Sequence, residues 1–169
     1  TYPWKSPTQQ PAVLWNGLVA PLAPYSARGM IWYQGCHNYP DGEWQRYASK
    51  MHALFNGWKQ KFENENFVIR FVQLGTGFGT LCQQQAKFER EQPAAAMAVC
   101  DVVNKDDIHP NEKETVGRRL AAHALRRDYG FTDIRDNSPS VASVKAEGTN
   151  LVVTCRDAKG LYVYNDDRS

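Results

Sequence analysis

The sequence lacks a long hydrophobic run, a strong charge bias and a closely spaced pair of cysteines. No apolar stretch approaches the ~18 residues that a membrane-spanning helix needs, and no signal peptide is visible, so we expect no membrane partner. The 169 residues carry a net charge of only +2, and the basic side chains are scattered, which argues against nucleic-acid binding. The four cysteines show no Cys-x-x-Cys spacing and do not settle the redox compartment.

The sequence alternates between strand and helix patterns. Its apolar content of 42% is enough for a hydrophobic core. Apolar runs rich in strand-forming residues predict strands at residues 29–34, 67–74 and 94–103, the first of them buried on both faces. Apolar residues spaced three or four apart predict a helix at residues 43–62, and we also expect helices at residues 11–18, 81–91 and 112–128. This order predicts an α/β fold with a parallel sheet and helices on its faces.

The pattern changes after Pro139. Short runs of strand-forming residues at 141–145, 151–154 and 161–164 are separated by turn sequences, which predicts the start of an antiparallel β module. We therefore expect two domains, a partial α/β domain at residues 1–137 and the start of the β module at 138–169.

Polar residues follow the first predicted strand. Gly35 leaves room for a substrate to approach a backbone N–H, and Asn38 offers a side-chain amide donor; Gln34 and His37 lie in the same loop. Such donors can stabilise the oxyanion that develops during acyl transfer. An ordinary tight turn would favour the same glycine and asparagine.

A second polar loop follows the third predicted strand. His109 suits a general base because its ordinary pKa lies near neutrality, and Asp106 or Asp107 could orient its ring; the sequence does not separate these two carboxylates. The carboxyl ends of parallel strands gather the working groups of such sheets, so we expect this loop to face Asn38. The alternatives are a solvated turn and, with His37, a zinc site that matches no strong metal-binding pattern.

Several short motifs in order resemble the sialate O-acetylesterases and related carbohydrate acetylesterases of the SGNH-hydrolase type. The resemblance covers roughly residues 11–165. It is carried by the segments Ala12–Gly17, Gly29–Asn38, Phe71–Leu74, Met97–Val99, Asp107–Pro110 and Val116–Leu120.

The resemblance implies a three-layer, flavodoxin-like α/β/α hydrolase fold and a Ser-His-acid mechanism without metal or cofactor. It implies an O-acetylated sugar, perhaps a sialic acid, as the substrate, and an extracytoplasmic location. His109 matches the family's catalytic histidine, and Gly35 with Asn38 matches its Gly-Glu-Ser-Asn loop.

The chain departs from the family pattern at three places. None of its serines lies in the Gly-Gln-Ser-Asn context of the nucleophile, so we expect an N-terminal segment or a partner chain to carry it. The substrate loop reads Gly-Cys-His-Asn, and Gln83-Gln84-Gln85 stands where relatives often have an Arg-Glu-Ala-Gln segment. The altered loop leaves two alternatives open: a degenerate relative that binds glycans without turnover, and a thiol enzyme that uses Cys36 with His109.

Overall fold

The computed structural model describes residues 10–23, 25–39, 42–75, 77–100 and 111–160. The chain divides into two compact units, Thr1–Ala121 and Ala122–Ser169, and each contains one sheet. The domain boundary expected between residues 137 and 138 stays a prediction.

The first unit is built on a parallel sheet of three strands. These are β1 (Gly29–Trp32), β2 (Val68–Gln73) and β3 (Ala95–Val99), in the spatial order β1-β2-β3. Gly29 begins β1 where the strands approach closely, since a Cβ atom there would lie 2.3 Å from the carbonyl oxygen of Val68. The predicted α/β fold with a parallel sheet is confirmed.

Two helices cover one face of this sheet. α1 (Tyr47–Lys61) follows a 3-10 turn at Glu43–Arg46, and α2 (Gly79–Glu91) lies between β2 and β3 in the chain. Side chains alternate along a strand, so every second residue of β1, β2 and β3 joins these helices in one core. The core consists of Met30, Tyr47, Ala48, Met51, Phe55, Phe67, Ile69, Phe71, Leu74, Leu81, Phe88 and Ala95.

A smaller core lies on the opposite face, beneath α3 (Lys113–Tyr129). Its buried members are Val72, Ala98, Cys100, Val116 and Leu120. The first unit therefore has helices on both faces of β2 and β3, as expected for strands that read as continuous apolar runs.

The prediction that the first strand is buried on both faces was wrong. Met30 is buried, but Ile31 points to the other face and is 70% exposed. Residues 33 and 34, predicted to extend this strand, belong to the following loop. In the described part of the chain β1 pairs only with β2, so one of its edges and part of one of its faces are open.

The second unit contains an antiparallel hairpin. β4 (Ser140–Glu147) and β5 (Asn150–Arg156) are joined by a tight turn at Gly148, whose φ of 61° suits glycine. The two predicted runs of strand residues at 141–145 and 151–154 lie within these strands. The third run, 161–164, lies outside the described residues.

The chain segment before the sheet is less regular than predicted. Instead of one helix over residues 11–18, a π-helical turn at Trp15–Val19 leads into a 3-10 turn at Ala20–Leu22. Trp15 packs edge-on against Trp58 of α1, with ring centroids 5.5 Å apart. Of the helices in the described ranges, none is long and apolar enough to cross a membrane.

Candidate active site

The loop after β1 occupies the carboxyl edge of the sheet, where ligands of parallel α/β sheets bind. Gly35 is buried and has a φ of 140°, a conformation that other residues rarely adopt. A Cβ atom at this position would lie 3.0 Å from Leu81 Cδ2 and 3.1 Å from Leu74 Cδ1. Both facts favour glycine at this position, where the loop leads into the 3-10 turn Cys36–Asn38.

Hydrogen bonds bring Gln34, Gly35 and Asn38 together. The backbone N–H of Asn38 donates to the Gly35 carbonyl oxygen over 2.9 Å. Nε2 of Gln34 donates to Oδ1 of Asn38 over 2.8 Å. The second bond holds Oδ1 of Asn38 on the side of Gln34, so Nδ2 is at the opposite end of the amide. The two predicted amide side chains thus form one unit, while His37 is exposed in the same turn.

Tyr47, the first residue of α1, holds this loop by hydrogen bonds. Its hydroxyl donates to the Gln34 carbonyl oxygen over 2.7 Å and lies 3.1 Å from Gln34 Oε1. The indole N–H of Trp32 donates to the same hydroxyl over 3.4 Å. Burial raises the pKa of Tyr47 to about 12, against smaller lowering effects of Trp32 and Gln85. The hydroxyl therefore keeps its proton at physiological pH.

Gln85 is fully buried on α2 and joins this helix to the end of β2. Its Oε1 accepts the backbone N–H of Leu74 over 3.0 Å, and its Nε2 donates to the Val72 carbonyl oxygen over 3.0 Å. The side chain thus replaces the strand partner that these backbone groups lack where the sheet ends.

Tyr33, in the loop after β1, contacts the residues on both sides of the undescribed segment that contains His109. The Tyr33 hydroxyl is 3.5 Å from Sγ of Cys100, directly after β3. Nζ of Lys113, at the start of α3, lies 5.0 Å from the centre of the Tyr33 ring. Burial and then the contact with Cys100 raise the pKa of Tyr33.

The thiol of Cys36 is poorly suited to nucleophilic attack. Burial raises its pKa, and the nearby Lys113 ammonium compensates only in part. The attacking species would be the thiolate, whose population at neutral pH falls as the pKa rises. This environment counts against the thiol-enzyme hypothesis.

The acid–base side of the predicted site lies outside the described residues. Asp106, Asp107 and His109 all belong to the segment 101–110, so their roles and the zinc alternative stay predictions. In the ranges that the structure does describe, no group of three or more metal-binding side chains occurs.

A second polar cluster lies within the second unit. Asp136 has a buried side chain that binds Arg127 and lies 3.2 Å from Nε of Arg126 and 3.4 Å from Nδ1 of His123. Burial alone would raise the pKa of Asp136, but Arg127 and His123 outweigh it and lower the pKa. The cluster fixes the chain that follows α3, since Arg126 also donates to the Ile134 carbonyl oxygen over 2.8 Å.

Sequence reasoning missed Tyr47 and Gln85. Tyr47 lies within the helix predicted at residues 43–62, and Gln85 was noted only as part of a departure from a family motif. A glutamine at a core-facing position of an amphipathic helix was the available signal, because a buried amide requires polar partners.

Residues 14–126 match a protein family described as carbohydrate esterase, sialic acid-specific acetylesterase. The sialate O-acetylesterase of Rattus norvegicus is 32% identical over 92% of the chain, and that of Mus musculus is 29% identical over 82%. The chain spans 33% and 30% of the lengths of these two relatives.

A solved structure is similar as well. The chain superimposes on the crystal structure of a carbohydrate acetylesterase from Xanthomonas citri with a TM-score of 0.76 and 30% identity, over 88% of this chain and 37% of that one. The family match covers more than half of the chain and includes the sheet, α1, α2 and most of α3. The chain therefore belongs to the carbohydrate esterase family of sialic acid-specific acetylesterases.

Proposed function

We propose that this chain forms the oxyanion and acid–base part of a serine esterase that removes O-acetyl groups from a carbohydrate, with a sialic acid as a candidate sugar. The observation that carries the proposal is the loop Gly35–Asn38, held at the carboxyl edge of the sheet inside the segment that matches the esterase family. Its geometry provides an amide donor beside a glycine, an arrangement that can stabilise the oxyanion formed in acetyl-ester cleavage.

The proposed reaction has two acyl-transfer steps. A serine oxygen attacks the acetyl carbonyl carbon while His109 takes the serine proton, and the Asn38 amide and the backbone N–H of Gly35 stabilise the oxyanion. When the C–O bond to the sugar breaks, His109 gives that proton to the sugar oxygen. Water then releases acetate from the serine, with His109 again as the base.

Chain connectivity supports the placement of His109 in this scheme. Both Cys100 and Lys113, which flank the segment that contains it, contact Tyr33, and Tyr33 is two residues from Gly35. His109 stands four residues before Lys113 in the sequence. In the proposed site its imidazole faces the ester carbonyl that Asn38 binds.

The open side of β1 supports the proposal that a further segment brings the serine. Among the described residues the outer edge of β1 has no partner strand, so an additional parallel strand can pair there. A serine at the carboxyl end of such a strand would lie next to Gly35, because parallel strands end at the same edge. The segment is either the upstream part of the same polypeptide or a partner chain.

The test compares this chain alone with the chain joined to its natural upstream sequence, using p-nitrophenyl acetate and an O-acetylated sialic acid as substrates. We expect acetate release only from the joined protein, and its loss in the variant His109→Ala. The matched control is His52→Gln, which removes an imidazole on α1 that contacts Glu91, away from the loop. A joined protein that hydrolyses neither ester would contradict the proposal.

The same experiment distinguishes the esterase from the alternative function, glycan binding without turnover. The Gly-Cys-His-Asn sequence of the loop favours a degenerate relative that binds acetylated sugars. Calorimetric binding of the acetylated sugar to the joined protein, together with no turnover, would support that alternative instead.

A further inference from the structure

The polarity of the Gln85 amide is fixed by backbone groups. A backbone N–H can only donate and a backbone carbonyl can only accept. Leu74 N–H therefore requires Oε1 of Gln85 on one side, and the Val72 carbonyl requires Nε2 on the other. Because the side chain is fully buried, water offers no alternative partner, and the amide is held in this one orientation.

The polarity of the Tyr47 hydroxyl is fixed as well. The indole N–H of Trp32 can only donate to it, and the Gln34 carbonyl can only accept from it. The amide of Gln85 also lowers the pKa of Tyr47. The single proton of the hydroxyl is directed towards Gln34, whose carbonyl oxygen and Oε1 lie 2.7 Å and 3.1 Å away.

The orientation of Gln34 follows from that proton. The Tyr47 proton lies on this side of the oxygen, so Gln34 turns its acceptor Oε1 towards the hydroxyl, 3.1 Å away. Nε2 of Gln34 is then at the opposite end of the amide and donates to Oδ1 of Asn38 over 2.8 Å. Each group in the series has one arrangement that satisfies its neighbours.

We infer that Tyr47 and Gln34 are positioning residues that determine which end of the Asn38 amide faces the substrate. With Oδ1 held by Gln34, Asn38 presents Nδ2, the donor that an oxyanion requires. In the reversed orientation Asn38 would present Oδ1 and repel the developing charge. This inference rests on the proposed function and deepens it, because it assigns the control of the oxyanion donor to a buried series of side chains.

The first test is kinetic, in the protein joined to its upstream sequence. In Gln34→Glu the carboxylate can only accept, so it draws Nδ2 of Asn38 towards itself; we expect kcat to fall by roughly 10²–10³-fold with little change in KM, the size of a lost oxyanion donor. Tyr47→Phe removes the directing proton, and we expect a smaller fall in kcat. The controls are Gln83→Glu on the exposed face of α2 and Tyr39→Phe, which loses a hydroxyl but keeps its ring against Phe78.

A double-mutant cycle separates positioning from general stability. If Tyr47 and Gln34 act through Asn38, neither substitution lowers kcat further in an Asn38→Ala background. Equal fold-losses in both backgrounds would assign them a purely structural role and overturn the inference. Loss of activity in Asn38→Ala, with full activity in Gln34→Glu and Tyr47→Phe, would overturn it and leave the proposed function intact.

A second measurement does not require turnover. In this chain alone, the Nε2 proton of Gln34 that is bound by Asn38 should exchange slowly with solvent in NMR spectra of ¹⁵N-labelled protein. We expect Tyr47→Phe to accelerate this exchange severalfold and Tyr39→Phe to leave it unchanged. An unchanged rate in Tyr47→Phe would show that the hydroxyl does not orient Gln34.

Discussion

Nε2 of Gln34 donates a hydrogen bond of 2.8 Å to Oδ1 of Asn38, four residues further along the chain. This contact joins the start of the loop after β1 to the turn that we propose as the oxyanion side of an acetylesterase. Both residues are partly buried, so the bond is protected from competition with water. The five predictions concern this loop, the buried side chain of Gln85 and the cluster around Asp136.

Asn38→Ala should lower kcat for acetyl-ester hydrolysis by roughly 10²–10³-fold in the joined protein, with KM little changed, because the amide acts on the transition state. Steady-state kinetics measure this effect. Asn56→Ala, on the exposed side of α1, serves as the control and should retain full activity. A large rise in KM at constant kcat would instead indicate that Asn38 binds the ground state of the sugar.

Gly35→Ala should destabilise the chain by about 2–4 kcal/mol, because the φ of 140° is strained for alanine and the new methyl group meets Leu81 and Leu74. Chemical denaturation measures the free energy of unfolding. Gly42→Ala is the matched control, since its φ of 71° is also positive but its Cβ would meet no atom within 4 Å. Equal losses in the two variants would show that the side-chain contacts are unimportant.

Gln85→Leu should destabilise the chain by roughly 2–4 kcal/mol, because it leaves the Leu74 N–H and the Val72 carbonyl buried without partners. Gln83→Leu, at an exposed position of the same helix, should change stability by less than about 0.5 kcal/mol. Thermal unfolding of both variants compares them directly. A Gln85→Leu protein as stable as the wild type would mean that the backbone groups find other partners.

Cys36→Ser should retain most of the esterase activity in the joined protein, since burial raises the pKa of the thiol and keeps the thiolate scarce at neutral pH. For the same reason, iodoacetamide should modify Cys36 slowly at pH 7 and faster as the pH rises through the raised pKa. Mass spectrometry follows the alkylation. Inactivation by iodoacetamide that substrate prevents, together with an inactive Cys36→Ser variant, would favour the thiol mechanism.

Asp136→Asn should destabilise the second unit by about 1.5–3 kcal/mol, because it weakens charge-assisted bonds to Arg127 and His123. The folded pKa of Asp136 is below the ordinary value of 3.8, so its contribution is complete above pH 3.8 and is lost as the pH falls through the folded pKa. Unfolding measured from pH 6 to pH 3 should show the difference between variant and wild type shrinking.

Asp133→Asn is the control for this pH series, because Asp133 is exposed in the same connection. It should follow the wild-type stability curve throughout. A difference between Asp136→Asn and wild type that stays constant down to pH 3 would show that the hydrogen-bond geometry, rather than the charge, matters.

Periodicity alone determined the order of strands and helices. The apolar runs at β2 and β3 and the three-and-four spacing of α1 are local patterns, and local patterns fix the type of an element well. The ends of elements were less accurate: β1 ends at Trp32 because the chain then turns out of the sheet to make contacts with α1, which no local pattern encodes.

The sequence by itself determined the fold class and the place of Gly35 and Asn38 in a polar loop after the first strand, because each depends on residue type and spacing within a few positions. Only the tertiary structure decided that Ile31 is exposed and that Gln34 binds Asn38. It also decided that Tyr47 binds Gln34 and that Gln85 binds the end of β2. These facts depend on side chains from separate helices that meet at one sheet edge. The direction of each hydrogen bond depends on groups that are close in space, and no periodic pattern in the sequence indicates it.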